Sequence, residues 1–111
     1  MLQDAITLFE NRLKRNPKEY LSHCGLGRAK VVLYELNNKS DDATLDSAIT
    51  HYDNAIASED NWALAYYQKA CAFMRYKFID DDKKNKALAA LLKAIFINRS
   101  RSPGKTYLTT T

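Results

Sequence analysis

At 111 residues and 12.7 kDa the chain has room for one domain and little more. Hydrophobic residues at 46% against charged residues at 27% describe a folding chain and exclude a disordered one. The net charge of +4 is too mild to imply a nucleic-acid partner, and no apolar run approaches the roughly 20 residues that span a bilayer.

Pro17 and Pro103 bracket 85 residues without a proline, which argues for helices over a turn-rich β sandwich. The first 15 residues mix acids with bases and lack a signal peptide's apolar core, so the chain reads as intracellular. Cys24 and Cys71 form no metal spacing and no disulfide framework. In a reducing compartment each reads as a small buried hydrophobe.

Apolar spacing predicts five helices in chain order. Leu2, Ala5, Ile6, Phe9 and Leu13 make the stripe of the first, which Asn16-Pro17 ends. The second is predicted from about Lys18 to Leu36, followed by a polar loop in which Ser40 or Asp41 is available as a cap. The third, about Ala43 to Ser58, shows Leu45, Ala48, Ile49, Tyr52, Ala55 and Ile56. The fourth is predicted over Trp62 to Ile79 and is dense in aromatics. Asp80-Asp81-Asp82 suits a turn and the positive end of the helix that follows, about Lys83 to Asn98. That fifth helix carries Ala87, Leu88, Leu91, Leu92, Ala94 and Ile95, with its bases exposed. Arg99 to Thr111, rich in Ser and Thr, reads as a flexible basic tail.

A spaced pattern recurs along the chain. Ala48, Tyr52, Ala55 and Asp60 stand at offsets of 4, 7 and 12, as do Ala87, Leu91, Ala94 and Arg99, and Ala5, Phe9 and Pro17 keep the offsets of 4 and 12. Each of the later copies follows another helix, one containing Leu26-Gly27 and the other Lys69-Ala70. In these residues the chain resembles the tetratricopeptide repeat family, in a degenerate variant with long repeats. The resemblance covers Met1 to about Asn98. It departs from the family at Asp60 and Arg99, which replace the closing proline, and in copies 43 and 39 residues apart instead of roughly 34. It implies an all-α array of antiparallel helical hairpins: a half repeat over 1–17, repeats over 18–60 and 61–98, and a tail over 99–111. Gly27 and Ala70 would sit where paired helices cross, with Tyr52 and Leu91 filling the gaps between them.

Catalytic chemistry finds little support. His23 and His51 show no metal-binding spacing, and His23 cannot face Cys24, because adjacent helical residues point about 100° apart. The aspartate triplet lacks the alternation and the glycine of a cation loop, and no phosphate-cradling glycine loop exists. The expectation is a non-enzymatic chain with no metal and no cofactor.

The resemblance implies protein–protein interaction, as a scaffold or adaptor, through a concave groove lined by the first helix of each pair. By the family's pattern the groove side chains are Leu21, Cys24, Arg28, Val31 and Val32, then Leu64, Tyr67, Gln68, Cys71 and Arg75. Arg28, Tyr67, Gln68 and Arg75 are the candidate contacts, offering a rigid amphipathic ring and planar donors. The aliphatic members read better as core. The residues at the positions of a carboxylate clamp do not form one, so a chaperone tail is not expected as ligand.

Charge sets up the alternative, nucleic-acid binding. From Ser40 to Asp60 there are six acids and no Lys or Arg; from Lys83 onward there are seven bases and no acid. Stacking of the acidic third helix near the basic fifth accounts for both blocks without a ligand. An odd number of helices also leaves an apolar end without a partner, which predicts either docking onto a partner or self-association, the latter as a homodimer with the first or fifth helix buried.

Overall fold

The computed structural model describes residues 2–101, folded as five helices: α1 Leu2–Arg15, α2 Tyr20–Leu36, α3 Asp42–Ser58, α4 Ala63–Phe73 and α5 Asp81–Arg101. Among these residues there is no strand. Each helix packs on its neighbour in sequence, most extensively α2 on α3 and α4 on α5, and α2 also touches α4. The protein is therefore an all-α array of helical hairpins.

α2 is the organising element because it is apolar on two faces. Leu26 and Ala29 pack on Ile6 of α1, flanked by Phe9 and Leu13. Val31 and Tyr34 join Leu45, Ala48, Ile49 and Tyr52 of α3 in the largest core cluster. Glycines set the two approaches. A Cβ on Gly25 would lie 2.4 Å from the Phe9 ring, and one on Gly27 would lie 2.5 Å from the Tyr52 ring. The expected close crossing at Gly27 is present, and Tyr52, fully buried, fills it.

Two tyrosines of α2 then fix α4. The Tyr20 hydroxyl accepts a 2.8 Å hydrogen bond from the Ala65 amide, one of the orphan donors in the first turn of α4. The Tyr34 hydroxyl accepts from the Lys77 amide at 2.9 Å, beyond that helix's other end, and donates to Asp42 at 3.0 Å. Between these anchors the direction of α4 is set by α2, although α4 packs more extensively on α3 and α5.

Local signals placed most boundaries. Asp41 caps α3, its carboxylate accepting from the Ala43 amide at 3.1 Å. Asp80 does the same for α5, accepting from the Lys83 amide at 2.9 Å. α2 ends in two left-handed residues, Asn38 and Lys39 (φ 58° and 56°), and the Lys39 amide returns to the Tyr34 carbonyl at 2.9 Å.

The fourth helix is shorter than its spacing predicts. It ends at Phe73 instead of Ile79, because the Met74 and Arg75 amides tighten onto the carbonyls of Cys71 and Ala72, three residues back, and Lys77 is held by Tyr34. This bend turns Tyr76 into the core, edge-on to Tyr34 with ring centroids 6.4 Å apart. α5 in turn runs to Arg101, three residues past its expected end, and the rest of the expected tail lies outside the described residues.

Candidate partner-binding groove

α4 and α5 meet through small residues. Ala70 and Ala72 of α4 are buried, and α5 buries Ala87, Ala90, Ala94 and Ile97. The alanine seam directs the larger side chains outward. Leu88, Leu91, Leu92, Ile95 and Phe96 of α5 are exposed, as are Leu64, Tyr67 and Met74 near α4. Leu91 therefore does not fill the space between paired helices as Tyr52 does.

Two cavities of about 590 Å³ each open along this seam and share Tyr67 and Leu91. The first lies toward the end of α4, with Cys71, Met74 and Leu88 as its apolar wall and Lys39, Arg75 and Lys84 as its charged residues. The second lies toward the start of α4 and takes in Trp62, Leu64, Ala94 and Ile95. No Asp or Glu lines either cavity. Together they form one groove, apolar throughout and cationic at one end.

The four expected contact residues divide. Tyr67, 53% exposed, stands where the two cavities meet. Arg75 lines the first, with its guanidinium 3.4 Å from Glu35 of α2. Gln68 lines neither cavity. It is half-buried, and its Oε1 has no hydrogen-bond partner among the described residues. Arg28 is exposed on α2, also away from both cavities. Its charge lies near the buried Tyr52 hydroxyl, whose pKa burial pushes up against that influence.

The other expected groove residues separate as well. Cys24 and Val31 are buried in the core, facing α3 and α4. Leu21 and Leu64 are exposed, against their expected place in the core. Lys39, Met74, Lys84, Leu88 and Ile95 were not anticipated as groove residues. For Leu88 and Ile95 the sequence shows only that the alanines at 87, 90 and 94 share a face beside the leucines, without saying which face turns inward; for Lys39 and Met74 it carries no signal.

The charge blocks are not matched helix to helix. α3 reaches α4: Lys69 pairs with Asp53 at 2.7 Å, and the Tyr76 hydroxyl donates to Asp46. The bases at the start of α5 turn to their own helix terminus, Lys83 to Asp80 at 3.7 Å and Lys86 to Asp82 at 3.1 Å. α3 and α5 face one another only across a cleft of about 510 Å³.

A histidine pair joins α2 to α3. His23 Nε2 donates to the Pro17 carbonyl at 2.8 Å, which leaves Nδ1 as acceptor toward His51 Nδ1, 3.4 Å away. Burial, the Lys30 ammonium and the His23 ring pull the His51 pKa down to about 4. Burial also pushes the Cys24 thiol up to about 11, away from thiolate chemistry. Among the described residues no group of three or more His, Cys, Asp or Glu is placed to hold a metal ion.

No protein-family model matches the chain, and no curated protein sequence matches it.

Proposed function

We propose that this chain is a non-catalytic protein-interaction module, a tetratricopeptide-like scaffold or adaptor that receives a segment of a partner protein. One observation carries this: a contiguous row of exposed large apolar side chains, Leu64, Tyr67 and Met74 with Leu88, Leu91 and Ile95, along the groove between α4 and α5. Concave, apolar and edged by a tyrosine and an arginine, it has the composition of an interface core. Relative to the concave face implied by the repeat resemblance, the docking face is shifted toward α5.

Two residues of the basic block, Lys83 and Lys86, are engaged by Asp80 and Asp82, and a third, Lys84, lines the groove, which supports this reading over phosphate binding. We place the module inside the cell, where the free thiols Cys24 and Cys71 stay reduced. No helix among the described residues is long and apolar enough to cross a membrane.

The test is quantitative capture from source-cell lysate with wild type and with Tyr67→Ala/Arg75→Ala, both exposed positions whose loss leaves helicity intact. Proteins retained by wild type and lost from the variant are the expected result. Identical sets from two equally helical proteins would remove the groove from the function.

A further inference from the structure

Resting on that reading, we propose that the α4–α5 groove takes a helical segment of a different protein, amphipathic and acidic, with its carboxylates at the Lys39/Arg75/Lys84 end. The shape argues for a helix. The α5 wall recurs as Lys84, Leu88, Leu91, Ile95 and Asn98, in steps of four and three, and the α4 wall as Leu64, Tyr67, Cys71 and Met74, in steps of three and four. Two antiparallel walls with a mean spacing of about 3.5 residues are the seam into which a third helix sets its own a and d side chains.

Charge sets the partner's composition. Every charged residue lining the groove is a cation, and all three sit at one end. Among the described residues neither Lys39 nor Lys84 takes part in an ion pair; Arg75 has Glu35 at 3.4 Å. Carboxylates on the incoming helix therefore meet unpaired ammonium groups there, while its apolar half covers Trp62, Leu64 and Ile95 at the uncharged end.

Among the described residues of a second copy, α1, α3 and α5 do not supply such a helix. α3 is acidic but exposes no large apolar side chain. α5 exposes five but has no acid after Asp82, so an α5–α5 contact sets Lys84, Lys93 and Arg99 among like charges. α1 exposes only Leu8 and ends in Arg12, Lys14 and Arg15.

The experiment is selection of displayed 16-residue random peptides on the intact chain, with counter-selection on Leu88→Glu/Leu91→Glu. Both substituted positions are exposed, and helicity and urea midpoint verify the fold of each variant. Enriched peptides are expected to be net acidic, with apolar residues at three- and four-residue steps. Synthesised singly, they should bind at least about tenfold more weakly to Arg75→Glu/Lys84→Glu and lose most of that preference at high salt. Peptides that need Leu88 and Leu91 but carry no net negative charge, or bind the charge-reversed variant equally, would overturn the acidic partner and leave the interaction module standing. No peptide that distinguishes wild type from the counter-selection variant would overturn both. A dimer in light scattering that Leu88→Glu/Leu91→Glu disperses would assign the groove to a second copy and overturn the foreign helix.

Discussion

The inward face of α3 carries Leu45, Ile49 and Tyr52, and no large apolar side chain of α3 is exposed. The inward face of α5 carries Ala87, Ala90, Ala94 and Ile97, while Leu88, Leu92 and Phe96 stand in solvent. The α2–α3 hairpin thus places its bulk between its helices, and the α4–α5 hairpin places it outside. Both pack closely, the first by glycine under an aromatic ring and the second with the alanines of α5 turned toward α4, where Ala70, Ala72 and Phe73 are buried. A hairpin closed by small residues keeps its larger apolar side chains free for something else, and in this chain they line a groove. The same substitution should therefore have very different consequences in the two hairpins.

Leu45→Ala should cost about 3 kcal/mol, read as a lowered urea midpoint at unchanged slope, since the side chain is wholly buried in the α2–α3 core. A loss below about 1 kcal/mol would mean that this hairpin is not the closed one.

Gly27→Ala comes next, at about 2 kcal/mol. The new methyl meets the Tyr52 ring at 2.5 Å, and a fully buried ring has nowhere to turn. In a Tyr52→Leu background the same change should become neutral or favourable, because alanine is the better helix former once the clash is gone. Equal costs in the two backgrounds would show that the ring is not what requires glycine at this position.

The contrast between the hairpins was only half legible in the sequence. Helix number and a cap at Ser40 or Asp41 follow from spacing and local chemistry, and the crossing at Gly27 with Tyr52 filling it is what the repeat resemblance implies; the structure has five helices, the Asp41 cap and that crossing. The α5 stripe misled because its alanines and leucines form two adjacent apolar faces, and periodicity alone does not say which turns inward. Which face is inward was decided by α4, whose inner side offers Ala70 and Ala72. The early end of α4 was equally hidden: it depends on Tyr34, 43 residues from Lys77, and no local signal reports a contact at that distance. Of the candidate site, Tyr67 and Arg75 share the groove. Arg28 and Gln68 fall outside it because they sit on other faces of α2 and α4.

Acid should weaken the first hairpin selectively, since both histidines lie there. The half-buried His51 takes a proton only near pH 4, whereas in the unfolded chain it does so near 6.5. Its contribution is therefore intact above about pH 6.5 and is lost as the pH falls toward 4, where the unfolded state binds the proton and the native state refuses it. Allowing for its partial exposure, wild type should lose about 1 kcal/mol more than His51→Gln between pH 7 and 4.5, measured by denaturant melts. The paired comparison cancels the carboxylates, which titrate in both proteins. Parallel losses in the two proteins would show that His51 is already solvated.

Leu92→Ala should do least, and that is its value. It removes the same atoms as Leu45→Ala, but from a side chain 56% exposed on the outer face of α5. Little apolar area leaves water when α5 docks on α4 through its alanines, so little is lost on truncation, and alanine is an equally good helix former. The expected change is within about 0.5 kcal/mol of zero. A cost approaching that of Leu45→Ala would require Leu92 to be covered in solution. Since no helix of the described fold covers it, a loss that grows with protein concentration would identify the cover as another copy of the chain.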